Sequence, residues 1–371
     1  MTSAQAIAAI GRHVSNRLDP AVLGGKSFAG VIGDAPSFYS KSPQLWNAAF
    51  RHLGMNAAYV PFDAVAAQLP DLIAALRNCD SFLGANVTVP HKVGIMDFLD
   101  VIAPDAARIR AVNTFVRTPD GRLVGYNTDG EGFIQSILQL QPDRMESFLT
   151  SLRGMTVLLL GAGGSARAVG FHVAGLLADG RLLVCNRTAE HAQSLVEEIR
   201  DAGYEAQSIT EGDLPQWSPK AGLIVNSTTK GQSGIRRLPN GTATLLEPYS
   251  PLAPADPPAF AKADEDKPDF ERRWSDAART DIEANNQVSL RLAQSIPAAV
   301  RFYDLIYHPE ETVFLRHGRS TGHPTMNGRS MIINQAAIAF CKHICAPALQ
   351  ARGSDTAETH RQVLEVMYRA W

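Results

Sequence analysis

Between residues 155 and 177 the chain reads MTVLLL-GAGG-SARAVGFHVAGLL. Six apolar or small residues without polar alternation describe a strand covered on both faces, as in a parallel sheet flanked by helices. Gly161, Gly163 and Gly164 permit a sharp turn, and Ser165–Leu177 continues as an apolar helix. Strand, glycine turn and helix in immediate succession commit this part of the chain to an α/β unit. The pattern continues with a strand at Leu182–Cys185, a helix at Ala189–Ala202 and a strand at Leu223–Val225.

An earlier stretch follows the same plan. Residues 1–25 read as an amphipathic helix and a loop, broken at Gly24-Gly25. Strands at Phe28–Ile32, Ala57–Val60 and Phe82–Val87 alternate with helices at Gln44–His52 and Leu69–Asn78, which predicts a second, mainly parallel sheet. After Gly234 the alternation fades. Six prolines fall within 248–268 and thirteen charges within 261–283, so 235–297 reads as an exposed, mobile insertion, part Pro-rich coil and part charged helix. Order returns with a strand at Ala298–Asp304 and helical spacing over Ser330–Cys345.

At ~150 residues per domain, 371 residues allow two to three domains. The map of elements settles on two, with the N-terminus, the insertion and the tail after Cys345 as surplus chain. Lys and Arg number 35 against 37 Asp and Glu, a net charge of −2, which leaves no footprint for nucleic acid or an anionic membrane. No apolar run approaches the ~20 residues of a bilayer span, and no secretory signal opens the chain. Four cysteines (Cys79, Cys185, Cys341, Cys345) make no disulfide scaffold, so a reducing, cytoplasmic setting is expected. Cys341 and Cys345 lie four apart without a second ligand pair and read as core residues rather than a metal site. His308, His317 and His323 read as solvated or capping histidines.

Two groups of residues carry chemistry. Glycines between a strand and a helix let pyrophosphate approach backbone N–H groups, although such turns also occur for structural reasons alone. At the end of the next strand an NAD site would place a carboxylate for the ribose hydroxyl. Here Asn186-Arg187-Thr188 stands instead, which suits a 2′-phosphate; the plain alternative is a solvated arginine in an ordinary turn. In the earlier unit, Asn86-Val87-Thr88-Val89-Pro90-His91-Lys92 runs from a strand's carboxyl end, where open α/β sheets bind ligands. Asn113 and Asn127-Thr128-Asp129 add polar groups. A lysine and an aspartate together can handle a proton, but Lys92 alone also reads as a surface lysine and Asp129 as a helix cap.

Taken together, GVIGD (Gly30–Asp34), SKSP (Ser40–Pro43), NAAF (Asn47–Phe50), NVTVPHK (Asn86–Lys92), AVNT (Ala111–Thr114), GYNTDG (Gly125–Gly130), GAGG (Gly161–Gly164), NRT (Asn186–Thr188), NSTT (Asn226–Thr229), DLIY (Asp304–Tyr307), Asn327-Gly328 and QAA (Gln335–Ala337) resemble the shikimate dehydrogenase family, in its order. The resemblance implies two α/β domains around a cleft. These would be a substrate-binding domain of 1–128 with 329–371, and a Rossmann-like NADP-binding domain of 129–328. It implies reversible NADPH-dependent reduction of 3-dehydroshikimate to shikimate, in chorismate and aromatic amino acid biosynthesis, by a monomer or homodimer. Lys92 and Asp129 would be the catalytic pair. Ser40 and Ser42 would bind the substrate carboxylate, Asn86, Thr88, Asn113 and Gln335 its hydroxyls, and Tyr307 would line the pocket. Gly161, Ala162, Gly163, Gly164, Ser165 and Ala166 would hold the pyrophosphate, and Asn186, Arg187 and Thr188 the ribose phosphate. Ser227, Thr228, Gly328 and Met331 would complete the cofactor site, and no metal is implied.

The chain departs from the family at several points. Tyr39 and Trp46 stand where histidines are common, which predicts an unusual pocket rim. His191 falls where a second phosphate-binding arginine is common, which would soften the preference for NADP over NAD. Ser330 replaces a glycine beside the nicotinamide. The alternatives are a quinate or aminoshikimate dehydrogenase of the same superfamily, and a non-catalytic ligand sensor.

Overall fold

The computed structural model describes residues 3–238, 240–265 and 267–371. The chain divides into two compact units, one running to Ser147 and resuming at Ser330–Trp371, the other spanning Phe148–Arg329. The division falls later than the expected boundary after residue 128, because the helix Asp129–Leu138 packs into the first unit: a Cβ at Gly132 would lie 2.7 Å from the Gln335 backbone nitrogen.

The first unit is built on six strands: β1 (Ser27–Gly33), β2 (Ala57–Asp63), β3 (Phe82–Val87), β4 (Val101–Ile102), β5 (Thr114–Arg117) and β6 (Leu123–Tyr126), in the order β2-β1-β3-β5-β6-β4. β2, β1 and β3 are parallel, and β5 runs antiparallel to both β3 and β6. The β5–β6 hairpin, with its Thr118-Pro119-Asp120-Gly121 turn, is the antiparallel element that apolar patterning misses, since both strands are only four residues long. Alternation along β1 sends Phe28 and Ile32 to one face and Ala29 and Val31 to the other, and each face has its own core.

The helix Leu69–Arg77 and the N-terminal helix Ser3–Gly11, through Ile7 and Ile10, cover the first face. The helices Ser42–His52, Arg329–Ile338 and Ala357–Ala370 cover the second. Both termini are therefore part of the core rather than surplus: Val363 and Met367 of the last helix are fully buried in a cluster with Trp46, Phe50 and Phe340. Cys341 and Cys345 are buried in the same cluster as core residues. Burial pushes the Cys341 thiol up to about 12, which keeps it protonated and inert.

The second unit holds a six-stranded, wholly parallel sheet in the order β15-β14-β10-β7-β8-β9. Its strands are β7 (Thr156–Leu160), β8 (Arg181–Cys185), β9 (Ala206–Ile209), β10 (Leu223–Asn226), β14 (Arg301–Asp304) and β15 (Thr325–Met326). The helices Gly164–Ala174 and Ala189–Asp201 make the first two crossovers. The connection from β10 to β14 is likewise a crossover, the kind that a helix usually makes. That helix is Phe270–Ser295, so the charged half of the presumed insertion is largely a required element.

The remainder of that segment is folded too, and is not coil. β11 (Ile235–Arg237), β12 (Thr242–Leu245) and β13 (Phe260–Ala261) form a small antiparallel sheet. It closes over a core of Ala243, Tyr249, Phe270, Trp274 and Ala278. The Trp274 indole N–H donates to the Pro258 carbonyl at 2.8 Å. The Asn285 amide donates to the carbonyls of Ser250, Ala253 and Pro254 at 3.1, 3.1 and 2.9 Å, fastening the Pro-rich stretch to the helix. His317 and His323, expected at the surface, are buried: Ser289 Oγ meets His317 Nδ1 at 2.9 Å, and the His323 ring lies between the Val300 and Ala293 carbonyls.

Candidate active site

In the first unit a chain of polar side chains gathers at the carboxyl ends of β1 and β3 and the start of the helix Asp129–Leu138. The loop after β3 is pinned at several points. Thr88 N–H donates to the Ile32 carbonyl at 2.9 Å, the His91 ring meets the Ala64 carbonyl at 2.7 Å, and Val112 N–H donates to the Lys92 carbonyl at 2.8 Å. These contacts fix the backbone from which Lys92 extends. Its ammonium donates to Asp129 Oδ2 at 2.5 Å, with the carboxylate 5% and the lysine 16% exposed. The other carboxylate oxygen accepts from Asn113 Nδ2 at 2.7 Å, so the carboxylate is held at both oxygens. Asp129 also sits in the first helical turn, where the helix dipole favours a negative charge.

The network runs on in both directions. Asn113 Oδ1 accepts from Thr128 N–H at 2.8 Å and from Thr114 Oγ1 at 3.0 Å. Thr114 Oγ1 accepts from Asn86 Nδ2 at 2.9 Å, and Asn86 Oδ1 accepts from the Tyr59 hydroxyl at 2.7 Å. Thr128 Oγ1 donates to Gln335 Oε1 at 3.2 Å. Burial pushes the Tyr59 phenol well above its ordinary range, against hydrogen bonds at Asn86 and Ser42, so it remains an O–H donor. Tyr59 thereby links the serine pair to the asparagines. Ser42 N–H in turn donates to Ser40 Oγ at 3.2 Å.

Eight of the residues singled out in the sequence thus share one unit: Ser40, Ser42, Asn86, Thr88, Lys92, Asn113, Asp129 and Gln335. Tyr307 does not join them; it lies half-buried in the second unit, in the segment after β14. Thr114 and Thr128 stand in the polar runs noted in the sequence but carried no role there, and Tyr59 is the member that sequence reading missed. Tyr59 is hidden inside an apolar strand, and its partner Asn47 was noted only as part of a motif. Asn47 clamps the Tyr59 backbone, accepting from its N–H at 2.9 Å and donating to its carbonyl at 2.9 Å. Trp46 is not at a pocket rim: it is fully buried, stacked on Tyr59 with ring centroids 4.7 Å apart. Tyr39 is exposed and donates to Asp34 Oδ1 at 3.0 Å.

The helices that carry Asp129 and Gln335 touch at Gly132. A Cβ there would lie 2.7 Å from both the Gln335 backbone nitrogen and its Cβ. Gly132→Ala is therefore expected to cost about 1–3 kcal/mol, the scale of core overpacking, and urea denaturation of the whole protein measures it. Unchanged stability would show that the two helices do not need this contact.

In the second unit the glycine turn lies between β7 and the helix Gly164–Ala174. Gly161 has φ +112°, and a Cβ there would lie 2.7 Å from Ser227 Oγ, so the position requires glycine. Ser227 donates through both N–H and Oγ to the Leu160 carbonyl at 2.8 Å, which holds the loop after β10 against the turn. Ala166 is fully buried beneath the turn. A Cβ at Gly163 or Gly164 would meet nothing within 4 Å, and this open cradle at a helix N-terminus fits a pyrophosphate. Ala162 and Ser165 flank it, half-buried.

Past β8, Asn186 Nδ2 donates to the Thr188 carbonyl at 2.9 Å and shapes the turn that presents Arg187 and Thr188 to solvent. Thr228 Oγ1 donates to Asn226 Oδ1 at 2.8 Å. Gly328 is fixed by packing, since a Cβ would lie 1.9 Å from the Leu305 carbonyl. Met331 is buried in the first turn of the helix Arg329–Ile338, in the first unit, as is Ser330.

A buried carboxyl braces this unit. Asp304 Oδ1 accepts from Asn226 Nδ2 at 2.9 Å and from Ile306 N–H at 3.0 Å, and Oδ2 accepts from Thr312 Oγ1 at 2.6 Å. Burial pushes its pKa up from 3.8 to about 7, against those three hydrogen bonds. The folded state then holds the proton more tightly than the unfolded state does. Rising pH therefore removes stability between the two values, and the loss is complete above the folded one. The wild type is expected to be less stable near pH ~7 than near pH ~5, with Asp304→Asn losing this part of the slope. Denaturation midpoints of both proteins across that range measure it; identical slopes would contradict the assignment.

Two family models match the chain. One, described as shikimate dehydrogenase substrate binding domain, matches residues 31–115; the other, shikimate / quinate 5-dehydrogenase, matches residues 143–237. Among curated relatives, the shikimate dehydrogenase (NADP(+)) of Carboxydothermus hydrogenoformans is 34% identical over 321 residues, 86% of this chain and 92% of that protein. The enzyme of the same description from Symbiobacterium thermophilum is 34% identical, covering 84% of this chain and 86% of its own. Among solved structures, shikimate 5-dehydrogenase from Thermus thermophilus in complex with NADP(H) and shikimate superposes with a TM-score of 0.60 at 28% identity, over 93% of this chain and 99% of that one.

Proposed function

Because this chain belongs to the shikimate dehydrogenase family, we propose that it catalyses the reversible NADPH-dependent reduction of 3-dehydroshikimate to shikimate, a step toward chorismate and the aromatic amino acids. The observation that carries the reading is the Lys92–Asp129 pair, held at both carboxylate oxygens within a buried polar network. In this reading the first unit binds substrate and the second binds NADP, with NAD as the weaker alternative. When bound, NADPH supplies the hydride.

Lys92 gives a proton to the substrate oxygen as negative charge develops there. Asp129 keeps the ammonium aimed at that oxygen, and Asn113 prevents the carboxylate from turning away. In the reverse direction Lys92 takes the proton from the substrate hydroxyl, and because oxidation releases a proton it is favoured at higher pH.

Ser40 and Ser42 hold the carboxylate, and Asn86, Thr88, Asn113 and Gln335 the ring hydroxyls, which orients the reacting carbon. Gly161–Ala166 receive the pyrophosphate, Asn186, Arg187 and Thr188 the ribose phosphate, and Ser227, Thr228 and Gly328 the rest of the cofactor. No helix among the described residues is long and apolar enough to cross a membrane, and four free, buried cysteines support a cytoplasmic place of action.

Ser42 favours shikimate over quinate, since its small hydroxyl suits the flatter acid. Turnover on shikimate and on quinate, each with NADP and with NAD, tests this. Higher kcat/KM for shikimate with NADP is expected, and a preference for quinate would move the protein to the neighbouring activity.

A further inference from the structure

The polar chain that ends at Lys92 has a direction. An ionised carboxylate only accepts, and a backbone N–H only donates. Asn113 is held between one of each: its Nδ2 donates to Asp129 Oδ1 at 2.7 Å, and its Oδ1 accepts from Thr128 N–H at 2.8 Å. Its amide therefore cannot turn over. Thr114 Oγ1 directs its proton to Asn113 Oδ1 at 3.0 Å and keeps only lone pairs for Asn86. Asn86 answers with Nδ2 at 2.9 Å, and the Asn113 carbonyl lies 3.5 Å from the same nitrogen. Asn86 Oδ1 is thus turned the other way, in a residue only 5% exposed, and needs a donor.

Tyr59 is that donor, at 2.7 Å. Tyr59 stands in β2 and Asn86 in β3, with β1 between them, so the phenol crosses a whole strand. Ala29 is the β1 residue opposite Tyr59 and presents a single methyl group to the same face. A serine or threonine hydroxyl would be too short to bridge two strand spacings, about 10 Å. The ring is fixed by the stack on Trp46, and the backbone by Asn47. Burial keeps the phenol protonated.

We propose that Tyr59 is a positioning residue that sets the selectivity of Asn86: by occupying one lone pair of Oδ1 and holding the amide in this sense, it leaves Asn86 able to accept from a ligand hydroxyl and unable to donate to one. The proposal rests on the shikimate reading above, in which Asn86 holds a ring hydroxyl. One ring position must then carry a hydrogen-bond donor, and a group that only accepts, such as an ether or a fluorine, is refused there. Tyr59→Phe keeps the ring and its stack but removes one of the two bonds that hold the amide in this sense.

Calorimetric binding to the full-length protein tests this, with shikimate and its three monodeoxyfluoro analogues as probes. The proteins are wild type, Tyr59→Phe, Thr114→Val, Asn86→Ala and the double variant Tyr59→Phe/Asn86→Ala. In the wild type, fluorine at the position facing Asn86 is expected to weaken binding by about tenfold or more. Tyr59→Phe is expected to weaken shikimate by about tenfold and to shrink the penalty at that one position, leaving the other two penalties and NADP binding as they were. Thr114→Val, which removes the acceptor of the Asn86 amide, should act in the same direction. The double variant should match Asn86→Ala, because Tyr59 acts through Asn86. Unchanged shikimate binding in Tyr59→Phe, an equal loss for all four ligands, or losses that multiply in the double variant overturn the proposal. The Asn86 side-chain amide gives a readout free of substrate. In protein with isotope-labelled asparagine, its resonances, identified by their loss in Asn86→Ala, should exchange slowly with water in the wild type and markedly faster in Tyr59→Phe. Unchanged exchange removes the orienting role of Tyr59. Should exchange quicken while the wild type binds no shikimate, the shikimate reading falls and the orienting role stands.

Discussion

Replacing Lys92 with alanine is expected to lower turnover of 3-dehydroshikimate by a factor of about 10² or more, the usual scale for an acid–base group, with a much smaller change in KM. The Lys92 ammonium is the one cation joined to the buried network of Asn86, Asn113, Thr114, Thr128 and Gln335 among the described residues, and the backbone on either side of it is pinned. Removing it leaves the groups proposed to bind substrate in place and takes away the proposed proton source. Steady-state kinetics of Lys92→Ala measure the effect. Turnover near that of the wild type would remove Lys92 from the chemistry, and a rise in KM with kcat unchanged would make it a binding residue.

Asp129→Asn is expected to lower kcat by about tenfold to a hundredfold. The asparagine can still accept from Asn113 but presents a donor, or a weaker acceptor, where Lys92 needs a carboxylate. In the proposed mechanism Asp129 is a positioning residue, acting through Lys92. The double variant Lys92→Ala/Asp129→Asn should therefore resemble Lys92→Ala alone rather than multiply the two losses. Multiplicative losses would mean that Asp129 contributes independently of the lysine. The two assays together separate proton transfer from general disruption of the network, since disruption would lower substrate binding in both.

Much of this was legible in the sequence, for identifiable reasons. Lys92, Asp129, Asn86 and Asn113 lie in short polar runs at strand and helix ends, where polar residues have few reasons to cluster other than a ligand. The glycine turn was legible because its strand is continuously apolar. Tyr59 was not, because a tyrosine inside an apolar strand looks like any core aromatic until its hydroxyl is seen to reach Asn86.

The β5–β6 hairpin was lost because strands of four residues are too short for alternation to register. In the segment 235–297, prolines and charges masked a core of only a few side chains. Trp274 and Phe270 stand among arginines and glutamates, and the long helix becomes a crossover only once β10 and β14 are seen to be parallel neighbours. The terminal helices read as surplus because nothing local shows that Ile7, Ile10, Val363 and Met367 have a sheet to cover.

The central claim is that this chain oxidises and reduces the shikimate ring with NADP. It is tested most directly by incubating the purified wild-type protein with shikimate and NADP and following the absorbance of the reduced nicotinamide, with 3-dehydroshikimate identified as the product. The account predicts stoichiometric formation of both, more complete at higher pH and abolished or nearly so in Lys92→Ala. Tight binding of shikimate and NADP without any reduced nicotinamide would contradict it and would make the protein a sensor of these ligands.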